Sequence, residues 1–197
     1  MKPTLLIACG ALAKEVGWLI DVNGWTHMEV TCLPAKLHNR PEKIPDLMRQ
    51  KIQTAKASEK YQKILAVYAD CGTGGLLDNV LVEEGVERIA GPHCYAFYSG
   101  LGKFEKQQED DISTFYLTDY LTRFFDRLII EGLGLDRYPQ LLSDYFGHYT
   151  KLVYLAQIED TRLVAKAEAA AERLGLTFEM RKTGMGDLAR FLEEKAA

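Results

Sequence analysis

The chain has 197 residues and a formal net charge of −4, and 47% of its residues are apolar. This length and composition suit one well-packed domain, and the acidic balance gives no reason to expect nucleic acid as a partner. No apolar run approaches the ~20 residues that cross a bilayer, so we expect no membrane association. The short apolar run at the N-terminus passes straight into a helix start, which predicts a cytoplasmic protein without a signal peptide.

Apolar and β-branched runs predict strands, and amphipathic stretches bounded by glycine or proline predict helices. The predicted strands, in chain order, cover residues 4–8, 28–32, 64–68, 86–90, 152–156 and 177–181. The predicted helices cover residues 11–19, 47–57, 76–84, 115–131, 161–174 and 187–194. This alternation predicts a three-layer α/β fold, with a mostly parallel sheet and helices on both faces. We assign residues 1–197 to a single α/β domain with a helical insertion at about 98–149.

The stretch ILAVYADCGTGGLLD, residues 64–78, predicts a buried strand, a sharp glycine turn and a helix start. In open α/β sheets, ligands bind beyond the carboxyl ends of the strands. Asp70 and Cys71 are therefore candidate catalytic residues, and the alternative for Asp70 is that it only caps the turn. The candidate substrate-binding residues in the turn are Gly72, Thr73, Gly74 and Gly75. The same glycines also suit a tight turn that binds nothing, and the run matches neither common phosphate-binding motif.

Four cysteines end or closely follow predicted strands: Cys9, Cys32, Cys71 and Cys94. In a parallel sheet these ends share one edge, where neighbouring strands are ~4.8 Å apart. Thiolates bind zinc and iron well, and a histidine adds an imidazole. The predicted ligands of zinc or iron, including an iron–sulfur cluster, are Cys9, Cys71, His93 and Cys94. No CxxC pair supports this, and buried cysteines also serve as core residues, which is the role we favour for Cys32.

A polar loop between prolines, LHNRPE at residues 37–42, offers further candidates. Arg40 suits a carboxylate or phosphate group of a small-molecule substrate, and His38 suits substrate or metal if the loop folds over the sheet edge. The alternative for this loop is a solvated connection with a local ion pair between Arg40 and Glu42.

Seven motifs together resemble one bacterial and archaeal family, the domain-of-unknown-function family numbered sixteen thirty-eight. The motifs are ACGALAKE, CLPAKLHNRPEKIP, YADCGTGGLLD, GPHCYAFYSG, TFYLTDYLTRFFD, VYLAQIED and KTGMGDL. Genes of that family often lie beside corrinoid-dependent methyltransferases and their reductive activators. The resemblance therefore implies a role near one-carbon or methylamine metabolism, with a corrinoid available through a partner protein.

Three functions follow from these observations. The first is a metal-binding protein whose thiolate site serves methyl transfer. The second is a metal-free enzyme in which Cys9 and Cys71 act as acid and base. The third is a non-enzymatic partner of a corrinoid protein or methyltransferase, with the acidic segment 107–111 and the aromatic stretch 115–130 as contact surfaces.

Overall fold

The computed structural model describes residues 2–107 and 112–196. The chain forms two compact units, one of Met1–Phe97 with Asp187–Ala197 and one of Tyr98–Gly186. Each unit contains a parallel sheet flanked by helices, which confirms the predicted α/β class. The strands divide between two sheets, whereas the sequence pattern predicted one. The assignment of residues 1–197 to a single domain stays a prediction.

The first unit is built on a four-stranded sheet in the order β2-β1-β3-β4, with every pair parallel. Its strands are β1 (Thr4–Cys9), β2 (Met28–Leu33), β3 (Lys63–Val67) and β4 (Glu87–Arg88). Its helices are α1 (Ala13–Asn23), α2 (Ile44–Ala57), α3 (Leu76–Glu83), the start of α4 (Ala96–Ser99) and nearly all of α9 (Gly186–Ala196). The predicted strand at 86–90 is thus shortened to two residues.

The central position of β1 follows from its sequence, TLLIAC, in which all six residues are buried. A strand that is covered on both faces needs such a continuous apolar run. Strand β2 lies at the sheet edge, where only its first and last residues, Met28 and Leu33, are buried. In the ladder, Ala8 lies opposite Cys32 on one side and Val67 on the other. Cys9 therefore ends the most buried strand of the unit.

The second unit contains a three-stranded parallel sheet in the order β5-β6-β7. Its strands are β5 (Thr114–Thr118), β6 (Lys151–Ala156) and β7 (Thr177–Lys182). Its helices are α5 (Leu101–Gln107), α6 (Asp119–Arg123), α7 (Leu142–Phe146) and α8 (Thr161–Leu174), with a π-helical segment at Asp126–Ile130. The predicted boundaries of α8 are confirmed, since Asp160 accepts a hydrogen bond from the Arg162 amide and Gly175 ends the helix in a left-handed conformation.

The predicted long helix at 115–131 is wrong. Residues 114–118 form β5, which pairs in parallel with β6, and the helix begins only at Asp119. The run TFYLT consists of β-branched, aromatic and aliphatic residues that suit a strand as well as a helix. Thr118 marks the boundary, because its side chain accepts a hydrogen bond from the Leu121 amide. The predicted helical insertion at 98–149 accordingly includes a strand.

Two further predictions concern the surface. The proposed acidic contact segment at 107–111 lies, apart from Gln107, outside the described residues. None of the helices in the described ranges is long and apolar enough to cross a membrane.

Gly10 follows β1 where the backbone of the next segment passes very close. A Cβ atom at this position would lie 3.0 Å from the Leu33 carbonyl oxygen and 3.1 Å from the Ala35 nitrogen. Both are backbone atoms, so neither can rotate away. Glycine at position 10 therefore lets the chain that follows β2 pack against the end of β1.

We expect Gly10→Ala to lower the free energy of unfolding by about 1–3 kcal/mol, because the added methyl group forces two backbone segments apart. The matched control is Gly17→Ala in α1, where a Cβ would meet nothing within 4 Å. That change should stabilise the protein by about 0.5–1 kcal/mol through helix propensity. Urea unfolding of both variants measures the contrast, and equal stabilities would contradict the close approach at Gly10.

Candidate functional site

Three of the four cysteines meet at the carboxyl edge of the first sheet. The Sγ atoms of Cys71 and Cys94 are 3.4 Å apart, and the Cys94 thiol is also hydrogen-bonded to Cys9. All four cysteines are free thiols. The structure thus brings together the three cysteines that the sequence analysis assigned to a site, with Cys94 in contact with both of the others.

Two backbone hydrogen bonds position Cys71 and Cys94. Beyond the short pairing of β3 with β4, the Asp70 amide donates to the Gly91 carbonyl at 3.1 Å and the Cys71 amide donates to the Pro92 carbonyl at 2.8 Å. Cys71 itself has a φ of 51°, a left-handed conformation that is uncommon for a residue with a side chain. The surrounding turn therefore holds Cys71 in a conformation that it would rarely adopt alone.

Cys9 is the thiol that ionises most readily. Its side chain accepts hydrogen bonds from the Cys94 thiol, the Ala11 amide and the Tyr68 hydroxyl, and these lower its pKa to about 7 although burial opposes the shift. Hydrogen bonds with Cys71 and Cys9, followed by burial, raise the pKa of Cys94 well above its ordinary value. Cys9 is therefore the thiolate of the cluster near neutral pH, and Cys94 keeps its proton.

Cys32 stays outside the cluster. It lies half-buried on the edge strand β2 and makes no hydrogen bond with the other cysteines in the described part of the chain. Burial, followed by the charge of Cys9, raises the pKa of Cys32, while Lys51 acts in the opposite direction. Cys32 is accordingly a natural control for experiments on the other three thiols.

The Asp70 carboxylate organises the glycine turn. Its oxygens accept hydrogen bonds from the Thr73 hydroxyl at 2.6 Å and from the amides of Gly75 at 2.9 Å and of Gly72 and Gly74, both at 3.2 Å. Burial alone would raise the pKa of Asp70, but these four donors together lower it. The turn therefore encloses an anion that belongs to the chain itself.

This arrangement bears on the residues predicted to be catalytic or substrate-binding at the turn. The amides of Gly72, Gly74 and Gly75 already donate to Asp70, so these bonds would have to break before the amides could bind a substrate anion. The substrate-binding roles of Gly72, Thr73, Gly74 and Gly75 and the catalytic role of Asp70 stay predictions.

The proline loop folds back over the turn. It forms two short 3-10 segments, Ala35–Asn39 and Pro41–Lys43. A Cβ atom at Gly72 would lie 3.7 Å from the Pro41 ring, so the loop and the glycine turn are adjacent. Arg40 is exposed and pairs with no carboxylate among residues 2–107 and 112–196, so the predicted local ion pair with Glu42 is not formed.

His38 lies close enough to His93 at this edge for its charge to contribute to lowering the pKa of His93. Burial is the main cause of the lowered pKa of His93, and the charge of Asp70 acts against it. His38 is exposed at the surface, yet partial exclusion of water from its ring also lowers its pKa. The His93 ring stacks on Tyr95, with centroids 4.9 Å apart. Both imidazoles are thus favoured in the neutral form that ligates metals.

The sequence analysis missed Tyr68 and Arg88. Tyr68 is fully buried immediately after β3, and its hydroxyl donates to Cys9. Arg88 donates to both carboxylate oxygens of Asp78, at 2.5 and 2.9 Å, and to the Ile89 and Gly91 carbonyls. These bonds, with the nearby charges of Asp70 and Cys71, raise its pKa. No local sequence pattern indicates these contacts, because they depend on tertiary packing.

In the part of the chain that the structure describes, no group of three or more His, Cys, Asp or Glu side chains is placed to hold a metal ion. The three thiols contact one another in pairs instead. As a donor set they suit zinc or iron, since thiolates bind both metals. In tetrahedral zinc sites with Zn–S distances of about 2.3 Å, sulfurs lie about 3.8 Å apart, close to the separation of Cys71 and Cys94.

Residues 32–192 match the sequence model of the family described as "Protein of unknown function (DUF1638)". The chain belongs to the DUF1638 family. This confirms the resemblance found in the sequence motifs. Cys71, His93 and Cys94 lie within the matched residues, whereas Cys9 precedes them. No curated protein and no solved structure matches this DUF1638 chain.

We expect Asp70→Asn to lower the free energy of unfolding at pH 7 by about 1–3 kcal/mol, because the turn loses charged hydrogen bonds. A carboxyl group with a lowered folded-state pKa stabilises the fold above its ordinary pKa of about 3.9 and loses this contribution as the pH falls through the folded-state value. The variant should therefore lose less stability than the wild type below about pH 4. Urea unfolding at several pH values measures this.

The control for this experiment is Asp21→Asn, at an exposed position in the last turn of α1. It should change the free energy of unfolding by less than about 0.5 kcal/mol at every pH. Equal stability of Asp70→Asn and wild type at pH 7 would contradict the role of Asp70 in the turn.

In the reduced, metal-free protein, we expect the ultraviolet absorbance of one thiolate to appear with a midpoint at about pH 7, from Cys9. Cys94→Ala removes the strongest donor to that thiolate, so its midpoint should rise toward the ordinary thiol value of about 8.5. Cys32→Ala should leave the midpoint unchanged. An unchanged midpoint in Cys94→Ala would show that Cys94 does not stabilise the thiolate.

Proposed function

We propose that this DUF1638 protein binds a zinc or iron ion, or an iron–sulfur cluster, through the thiolates of Cys9, Cys71 and Cys94. The observation that carries the proposal is the convergence of three free thiols from three separate segments at the carboxyl edge of one parallel sheet. This edge is where ligands bind in such sheets. The fourth cysteine, Cys32, lies apart and shows that convergence is not a general property of the cysteines in this chain.

The electrostatics of the cluster favour a cation. Three thiols this close cannot all ionise without one, because each thiolate raises the pKa of its neighbours, as Cys94 illustrates. A soft divalent cation replaces the thiol protons and neutralises the resulting charge. Cys9, with a pKa of about 7, would lose its proton to a metal with the least cost in free energy.

Several neighbours are suited to support such a site. The Tyr68 hydroxyl and the Ala11 amide hold the Cys9 sulfur in place, as second-shell donors do in metal sites. His93 precedes Cys94 and is favoured as a neutral imidazole, so it is the candidate fourth ligand, and His38 is the nearest alternative. Arg88 places a positive charge near Cys71, and the loop with Arg40 covers the adjacent turn.

The chemistry that we propose is methyl transfer in one-carbon metabolism. A zinc ion held by Cys9, Cys71 and Cys94 would supply Lewis acidity, the chemistry that activates a substrate thiol as a methyl acceptor. Two observations support this step. One is the donor set, and the other is the resemblance of the sequence motifs to a family whose genes often lie beside those of corrinoid-dependent methyltransferases. The proposal includes a small-molecule substrate near Cys71 and the glycine turn, a corrinoid protein or methyltransferase as partner, and a cytoplasmic location in which thiols stay reduced.

A metal-free role of the same thiols is the second candidate, and the hydrogen-bonded Cys9 thiolate favours it. Cys9 would act as a base, and a neighbouring thiol as the acid. The structure places Cys94, rather than Cys71, in hydrogen-bonding contact with Cys9. Deuterium exchange into the α-carbon of an amino acid by chelator-treated protein, abolished in Cys9→Ala, would favour this role. A requirement for metal in any such exchange would contradict it.

We expect Cys71→Ser to lower the metal affinity at least tenfold while keeping most of the fold. Loss of a ligand should cost at least as much as loss of a second-shell partner, which costs about 10–100-fold. Cys71 is a half-buried turn residue, so its replacement removes little core volume. Anaerobic zinc and iron titration, metal analysis and thermal melting of the purified full-length chain provide the measurements.

Cys32→Ser is the matched control, since it changes the same atom at a half-buried cysteine outside the cluster. It should keep wild-type metal content and lose stability on the order of 1–3 kcal/mol if its hydroxyl remains unpaired. If wild type and Cys71→Ser hold equal metal, and only the melting temperature of Cys71→Ser falls, then Cys71 is a structural residue and the proposed site is wrong. Absence of bound zinc or iron in reduced wild type would also overturn it.

A further inference from the structure

We propose that Cys71 and Cys94 form a reversible disulfide, which makes the cluster a redox-sensitive modification site. Their Sγ atoms are already 3.4 Å apart as free thiols. A disulfide bond of about 2.0 Å requires an approach of the two sulfurs that small side-chain rotations can supply. The disulfide itself follows from this contact, whereas its effect on metal rests on the proposed function.

The backbone around the two cysteines is suited to such a link. The hydrogen bonds from Asp70 to Gly91 and from Cys71 to Pro92 hold the two loops side by side. Closure of the disulfide would therefore join segments that are already paired, and it would leave the strands β3 and β4 in place. The ends of the link are close in space although 23 residues apart in sequence.

Cys9 is the less suitable partner for Cys94. It is the last residue of the central, fully buried strand β1, and only 6% of its surface is exposed. An oxidant has little access to Cys9, and movement of its backbone would disturb the pairing with β2. Cys71 lies in a turn and is partly exposed, so a soluble oxidant reaches it more readily than it reaches Cys9.

Hydrogen peroxide is the class of oxidant that we name. The Cys71 sulfur attacks one peroxide oxygen, the O–O bond breaks, and Cys71 becomes a sulfenic acid while one water leaves. The Cys94 sulfur then attacks the Cys71 sulfur, the S–O bond breaks, and the leaving hydroxide takes the Cys94 proton and becomes a second water. The two thiols lose two electrons in total, and the peroxide gains them. A low-molecular-weight dithiol reverses the reaction by thiol–disulfide exchange.

The consequence for the proposed metal site is direct. A disulfide sulfur is no longer a thiolate, so two of the three ligands are lost together. We expect the oxidised protein to bind zinc at least tenfold more weakly than the reduced protein, and reduction to restore binding. Bound zinc should in turn slow the oxidation, because both sulfurs are then engaged.

The test uses full-length, reduced, metal-free protein treated with hydrogen peroxide. The number of titratable thiols should fall from four to two, and non-reducing peptide mapping should link Cys71 to Cys94. The control Cys32→Ser should lose two thiols in the same way. Cys71→Ala and Cys94→Ala, each checked for folding by circular dichroism, should lose the mapped link. Either variant that folds is sufficient for the comparison.

Three results would overturn the inference: a link from Cys94 to Cys9 instead, irreversible oxidation of Cys71 without a link, or retention of all four thiols. Zinc titration of reduced, oxidised and re-reduced samples separates this inference from the proposed function. A reversible link in a protein that never binds zinc or iron would leave the inference standing and remove the metal site. Zinc binding without a link would do the reverse.

Discussion

Two backbone hydrogen bonds beyond the end of the first sheet determine the geometry of the candidate site. Strands β3 and β4 pair over only two residue positions, and the bonds from Asp70 to Gly91 and from Cys71 to Pro92 extend that pairing into the loops. They hold the turn after β3 beside the segment before α4, together with the bonds from Arg88 to Asp78 and to the Gly91 carbonyl. With them, two cysteines from different loops share one location, next to the end of β1.

A second constraint is that the thiols of the cluster and the Asp70 carboxylate, all groups that can carry negative charge, lie at the same edge of the sheet. Cys9 has a pKa of about 7, and its charge and its hydrogen bond raise the pKa of Cys94. The Asp70 carboxylate, by contrast, is stabilised by four donors of its own turn. The edge of the sheet thus holds one satisfied anion beside a group of thiols whose charge depends on what they bind.

The sequence was sufficient to predict the parallel strands and the convergence of Cys9, Cys71 and Cys94, since strand ends in parallel sheets share an edge and each cysteine follows a recognisable apolar run. It was not sufficient to separate β5 from the helix after it, because the aromatic residues of 114–125 suit both structures and only the pairing with β6 decides.

The contacts of Tyr68 and Arg88 with the site depend on tertiary packing, which no local pattern encodes. The role of Asp70 as the acceptor for its own glycine turn was one of the alternatives that the sequence left open, because the same glycines are expected in a turn that binds an external anion.

The first unit is discontinuous in sequence. Helix α9 returns to it after the whole second unit, where Leu188 and Leu192 are fully buried and Lys195 pairs with Glu87 of β4 at 2.8 Å. On the ribosome, the sheet that carries the cysteines is therefore translated early but lacks this helix until the second unit has been translated. Strand β4 has the shortest pairing in its sheet, and its Glu87 gains the ion pair with Lys195 only after this helix has been translated. The nascent chain therefore passes through an interval in which the thiols are present in a unit that still lacks one of its helices, so the redox state of the compartment acts on them before that unit is complete.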